Sequence, residues 1–145
     1  MRISLKSDYG IRAILDLAER HGQGPVRSET IAARQEIPES YLDQLLTTLR
    51  KAGLVRSSRG PRGGHQLARL PRDISVGEVL QALEGEFLVP AEANTETAES
   101  LPSVRVQREV WQLVRQAVEQ IVQQTSIQQL LDRQQVLLAQ SRYYI

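Results

Sequence analysis

Apolar residues recur along this chain with the period of a helix in six stretches and switch to a strand-like pattern in one region. The first helix is expected over residues 7–20, SDYGIRAILDLAER. There Ile11, Ile14, Leu15 and Ala18 share one face, Ser7 is the expected N-cap, and HGQGP is the stop. A shorter helix follows over SETIAARQ, with Ser28 as cap and Ile31 and Ala32 facing inward. A third spans 39–53, ESYLDQLLTTLRKAG, with an apolar face of Tyr41, Leu42, Leu45, Leu46 and Leu49. Pro38 suits its first turn and Gly53 the position just past its end. The period then changes. Leu54 to Ser57 and His65 to Ala68 read as two short strands, joined by the turn Gly60 to Gly64. Residues 73–86 contain a fourth helix, with Val76, Val79, Leu80 and Leu83 on one side. The polar, acidic segment 87–102 carries prolines and reads as a loop. Residues 103–124 form the longest helix, with Val106, Val110, Leu113, Val114, Ala117, Val118, Ile121 and Val122 in a broad apolar stripe and Trp111 beside it. TSIQQLLDR is a further short helix, capped by Thr125 or Ser126.

The fold class expected from this order is mainly α with a small β-hairpin. Two short helices joined by a few residues, the second amphipathic, match a helix-turn-helix. Any small three-helix bundle gives the same pattern, so the hairpin decides. Its turn lies in SSRGPRGGHQLARL, residues 57–70, which holds three arginines, three glycines and no acid. A phosphate-cradling nucleotide loop needs Gly-Lys-Ser/Thr and a following helix, whereas these glycines end in His65 and a strand follows. A hairpin straight after a helix-turn-helix is the wing of a winged helix. The chain divides into a winged helix-turn-helix DNA-binding domain (1–86), an acidic loop (87–102), and a dimerisation helix with a C-terminal tail (103–145). The long helix has more apolar face than one small winged helix covers. Either a second copy covers it or the helix folds back on its own domain.

Composition narrows the chemistry. The 145 residues are 41% apolar and 24% charged, as in an ordinary globular protein. No apolar run approaches the roughly 18 residues that span a bilayer. The N-terminus has no long apolar segment of a signal peptide, so a cytoplasmic location and no membrane partner are expected. The absence of cysteine excludes disulfides and thiolate metal sites. No nucleophile–base pair or metal-ligand set stands out, and an enzyme is not expected. The net charge of +1 hides a polarised chain. Residues 44–72 hold seven basic residues and no acid, and residues 73–104 hold seven acids and no base. A concentrated basic patch suits a phosphate backbone. An RNA-binding or protein-interaction module on the same scaffold is the alternative.

The stretches LKSDYGIRAILDLA, IPESYLDQLLTTLRKAGLVRSSRGPRGGHQLAR and ISVGEVLQALEG resemble the Rrf-two family of bacterial transcription regulators. The match covers about the first 85 residues and continues more weakly through the long helix. The resemblance implies a homodimer with crossed long helices on a roughly palindromic operator. It places Ser40, Tyr41 and Gln44 at the major groove and Arg59 of the wing in the minor groove. Gln44 suits an adenine edge, Ser40 either kind of base, and Tyr41 a core or phosphate contact. Arg50, Lys51, Arg56 and Arg62 suit phosphates. Ser28 and His65 complete the expected DNA-contacting set, His65 standing where the family more often has tyrosine. Cluster-binding members carry cysteines before the long helix, and none is present here. A cysteine-ligated iron–sulfur cluster is therefore impossible, and no cofactor is expected. The chain is most similar to the cysteine-metabolism repressor branch, including its end, Tyr143, Tyr144 and Ile145. That similarity implies a repressor and a possible partner in O-acetylserine thiol-lyase, with a small-molecule effector as the other possibility.

Overall fold

The computed structural model describes residues 3–85 and 101–143. Helices α1 (Leu5–Glu19), α2 (Ser28–Gln35) and α3 (Glu39–Lys51) are followed by strands β1 (Val55–Ser58) and β2 (Gly64–Leu67). A 3-10 turn (Pro71–Asp73) then leads to α4 (Val76–Glu84), and α5 (Pro102–Gln124) and α6 (Ile127–Tyr143) complete the described chain. Most of the acidic loop, together with Tyr144 and Ile145, lies outside the described residues.

The apolar faces form one core. Ile14 and Leu17 of α1, Ile31 of α2, and Leu42, Leu46 and Leu49 of α3 are fully or almost fully buried together. In α1 the buried face is turned from the expected one: Ala13 and Leu17 join Ile14 and Ala18 in the core, while Ile11 and Leu15 are half-buried at its edge. Burial of each such side chain contributes about 1.5–3 kcal/mol. The hairpin is antiparallel, with Val55 opposite Leu67 and Ser57 opposite His65. Val55 and Leu67 are buried at its root; from there β1 runs out exposed to the tip, while Gly64, His65 and Gln66 of β2 are half-buried. The strands lie one residue from their expected bounds, β1 later and β2 earlier.

Ser7 is not the cap of α1. The helix starts two residues sooner, and the buried Ser7 hydroxyl donates to Glu84 Oε1 at 2.6 Å. Ser4 donates to the same oxygen through its hydroxyl and, at 3.2 Å, its amide. The Ser4 and Ser7 hydroxyls hold the Glu84 carboxyl below the usual carboxylate range. Ser28 is likewise inside its helix, as the first residue of α2; Arg27 occupies the N-cap without a side-chain bond.

The last helix differs most from expectation. It runs seventeen residues, to Tyr143, in place of the short helix over 125–133. Ser126 is its cap: Gln129 N donates to Ser126 Oγ (3.1 Å) and Ser126 N to Gln129 Oε1 (2.7 Å). Ser75 and Glu78 make the equivalent reciprocal pair at α4. The two starts are joined, since Val76 N donates to Thr125 O and Ile127 N to Ile74 O, both at 2.8 Å. Ile127 and Leu131 thereby enter the core of α1–α3.

The wing is fastened by glycine. Gly64 has φ +151°, and a Cβ there would lie 2.6 Å from the Val26 carbonyl oxygen. Gly22, at φ +82°, has open space around the same position. Gly64→Ala is expected to cost about 2 kcal/mol or more in urea unfolding, against about 1 kcal/mol for Gly22→Ala. Equal losses would place the penalty in backbone torsion and remove the close approach as its cause.

Candidate nucleic-acid interface

Burial of Leu42, Leu45, Leu46 and Leu49 turns the opposite face of α3 outward. Ser40 and Gln44 are exposed there, as are Asp43 and Thr47. The Thr47 hydroxyl donates to Asp43 O (2.8 Å) and the Thr48 hydroxyl to Gln44 O (3.1 Å). Both threonines thus satisfy a helix carbonyl, and the Gln44 amide has no side-chain partner among the described residues. Tyr41 is half-buried, its ring edge-on to Tyr9 with centroids 5.6 Å apart. The Arg12 guanidinium lies 5.3 Å from the Tyr9 ring centre. Tyr41 therefore braces α3 against α1. Ser28 is half-buried at the start of α2.

The wing turn is tight enough to demand glycine at Gly63, where a Cβ would fall 2.4 Å from Ser58 O. Gly63 N donates to Gly60 O at 2.9 Å, and this closes the turn with Arg59 and Arg62 exposed. Arg50, Lys51 and Arg56 are exposed as well. Among the described residues none of these five cations makes an ion pair. Arg69 contrasts with them: it is bound to Glu78 at 2.5 Å and to Asp73 O at 3.2 Å. Among the described residues the run of seven thus divides into five unpaired cations at α3 and the wing, Arg69 held by Glu78 of α4, and Arg72 in the 3-10 turn beyond the wing.

His65 is half-buried in the second strand of the wing, with Nδ1 2.7 Å from Ser57 Oγ. Burial lowers its pKa, with Asp43 and Glu29 opposing the shift and Arg50 adding to it. Asp43 was missed in the sequence because the basic window opens one residue after it. Its signal was its i−1 position to Gln44 on the polar face of an amphipathic helix.

The stripe on α5 is open. No residue of this helix is buried; Leu113 and Ile121 are each 65% exposed. Val106, Val110, Val114 and Ala117 are exposed with them, and Val118 is half-buried. The helix does not fold back over its own domain, although α4 packs against it. No helix among the described residues is long and apolar enough to cross a membrane.

A helix-turn-helix with an exposed polar recognition face and a cationic two-stranded wing defines a winged-helix protein of the DNA-binding regulator class. The chain belongs to the Rrf2 family, whose model, described as "Iron-dependent Transcriptional regulator", matches residues 3–133. It is a transcriptional regulator and not an enzyme. The regulator CymR of Bacillus subtilis is 36% identical over 130 residues, 90% of this chain and 89% of that protein. Its structure, titled as that of the global cysteine regulator, superposes with a TM-score of 0.79 at 34% identity, over 92% of this chain and 98% of that one. The structure of T. potens IscR gives 0.74 at 38% identity, over 92% and 88% of the two chains. Other relatives are matched over less of their length, among them slr0846 of Synechocystis (51% identity; 62% of this chain, 60% of that protein).

The family description names iron, and the residues do not fit a cysteine-ligated cluster, because the chain has no thiol. Among the described residues no three His, Asp or Glu side chains gather as a metal site.

The roles proposed for the wing arginines separate in one experiment. Arg59→Ala is expected to weaken binding to a selected duplex by about 1–3 kcal/mol while changing binding to random duplex little. Arg62→Ala should weaken both and lower the salt slope by about 1. Salt titrations that move both variants alike on both duplexes would overturn this division.

Proposed function

We propose that the protein is a repressor that binds a roughly palindromic operator as a homodimer. The observation that carries this reading is the uncovered apolar stripe of α5 on the same chain as an unpaired cationic wing. A helix of this length extends about 35 Å. Leaving its apolar face in water is unfavourable by about 25 cal/mol per Å². A second copy covers it with the same stripe, which is the economy of a two-fold interface. Two winged helices then face one side of a duplex, with recognition helices about 34 Å apart. Ser40 and Gln44 meet base edges, Arg59 the minor groove, and Arg50, Lys51, Arg56 and Arg62 phosphates. The DNA is cytoplasmic, and so is the site of action.

Leu113→Asp is expected to yield a monomer in light scattering at micromolar concentration and to weaken operator binding at least tenfold, with the helical circular dichroism of the winged helix retained. A wild-type monomer that enriches no duplex from a random library would overturn the proposal. Enrichment of RNA in its place would favour the RNA-binding alternative.

The regulon proposed is sulfur and cysteine metabolism. The support is similarity to CymR over nine-tenths of the chain. The proposed handle for control is the C-terminal tail. Tyr143 is 90% exposed at the end of α6, and Tyr144 and Ile145 lie beyond the described residues. The aromatic and apolar side chains of Tyr143, Tyr144 and Ile145 are the proposed anchor for a partner enzyme such as O-acetylserine thiol-lyase. Deletion of residues 143–145 is expected to abolish any change in operator affinity caused by the host's own thiol-lyase. An equal effect of the enzyme on full-length and shortened protein would show that the tail is not the handle. No effect on either would favour a small-molecule effector.

A further inference from the structure

His65 is the point at which the wing, the start of α2 and the recognition helix α3 converge. Its main chain exchanges two hydrogen bonds with Val26, His65 N to Val26 O at 2.7 Å and Val26 N to His65 O at 2.8 Å. Its ring lies opposite Ser57 in the hairpin register, with Nδ1 2.7 Å from Ser57 Oγ. The charged groups acting on the ring are Asp43 and Arg50 of α3 and Glu29 of α2. None of them comes from α1, which also packs on β2.

We propose that His65 is a positioning residue that couples DNA binding to proton uptake, its imidazole gaining a proton as phosphates approach the wing and α3. The inference rests on the DNA-binding reading above. In the free protein, burial first and Arg50 second disfavour the imidazolium, against Asp43 and Glu29, and the balance favours the neutral ring. A neutral imidazole offers one N–H. Phosphates add negative charge near the ring and favour the charged form. As imidazolium, Nδ1–H donates to Ser57 Oγ, and the Ser57 hydroxyl proton becomes free for a phosphate oxygen. The new charge also offsets the carboxylate of Asp43, which is exposed beside Gln44 on the recognition face.

The sign follows from linkage. DNA raises the His65 pKa above its depressed free value, so binding takes up protons. Affinity is greatest below the free pKa, falls as pH rises between the free and bound values, and levels off above the bound value. The chain suits a clean measurement, because it has only two histidines and no cysteine. The other, His21, is exposed in the segment after α1.

The test uses the full-length protein and a duplex enriched from a random library. Calorimetry at about pH 6.5 in two buffers of different ionisation enthalpy counts protons, and affinity is followed from about pH 5.5 to 8. Wild type is expected to take up protons and to bind about three- to tenfold more weakly at the upper end of the range. His65→Gln, which keeps a hydrogen-bonding side chain, should bind with a flat profile and no proton uptake. His21→Gln should retain the wild-type slope. Proton release or no exchange by wild type, or an unchanged slope in His65→Gln, would overturn the inference. Should His65→Gln fail to fold, the imidazole resonance of wild-type His65 decides: its pKa must rise on addition of duplex, and a fall or no change refutes the coupling. Absence of binding at every pH is a different result, which removes the DNA reading and this inference with it.

Discussion

Two hydrogen bonds between Val26 and His65 hold the wing to the helix-turn-helix. A two-stranded hairpin is marginal by itself in water, and here only Val55 and Leu67 at its root are buried within the strands. The Val26 bridge adds a third backbone segment at the edge of β2. It forms because Gly64 brings the chain to a separation from Val26 that a Cβ would close. The wing therefore moves with the start of α2, and α2 is tied to α3. Where Arg59 sits relative to Gln44 is set at this crossing, some distance from either residue in sequence.

The relation of α2 to α1 has a separate fastening. Asp16 is 1% exposed and accepts from Arg34 through both oxygens, at 2.9 and 2.7 Å, and from Gln35 Nε2 at 3.1 Å. The Asp16 carboxylate in turn raises the Arg34 pKa, so the guanidinium stays charged. Such a pair adds little net stability over apolar packing, but loss of one partner leaves a buried charge, at a cost of about 3–5 kcal/mol. Arg34 keeps its outer edge in water, which lowers that figure. The function of the pair is orientation. It fixes the rotation of α2 about its axis, and α2 is too short to be fixed by its two buried residues Ile31 and Ala32 alone.

How far the fold was legible followed the reach of the interactions. The apolar face of α3 is set by local period, and the structure buries the four leucines that the period selects; in α1 it buries Ile14 and Ala18 of the selected face and leaves Ile11 and Leu15 half-buried, because Leu17 and Ala13 turn to the core in their place. The wing was legible because turn chemistry is local too. Ser7 was misassigned because serine favours caps, and its partner Glu84 is 77 residues away. The full length of α6 was hidden because Val136, Leu137 and Leu138 are adjacent and exposed, so they mark no single face. At the candidate interface the exposed cations were visible as a charge run. Asp43 was masked by the border of that run, and the engagement of Arg69 by Glu78 needed the 3-10 turn Pro71–Asp73 to fold the chain back between them. Tyr41 was open between core and phosphate until its contact with Tyr9 placed it as a brace.

The remaining question is how an arm with no buried residue can hold a recognition helix in register. The join between α5 and α6 answers it. Thr125 and Ile127, at the end of one helix and the start of the other, exchange backbone hydrogen bonds with Ile74 and Val76. Ile74 and Ile127 are both completely buried in the core that contains Leu42, Leu46 and Leu49 of α3. Gly77 lets the last turns of α5 pass close to α4, since a Cβ there would lie 3.3 Å from Val122 and Gln123. The arm is thus anchored at one end by main-chain bonds and close packing, while its stripe stays open along its length. In the proposed dimer, a change of angle between two arms acts through that anchor on the core behind α3. To regulate, an effector must favour one arm angle over another by about 1–3 kcal/mol, and the rigid join lets that preference reach the duplex without any contact of the effector with the wing.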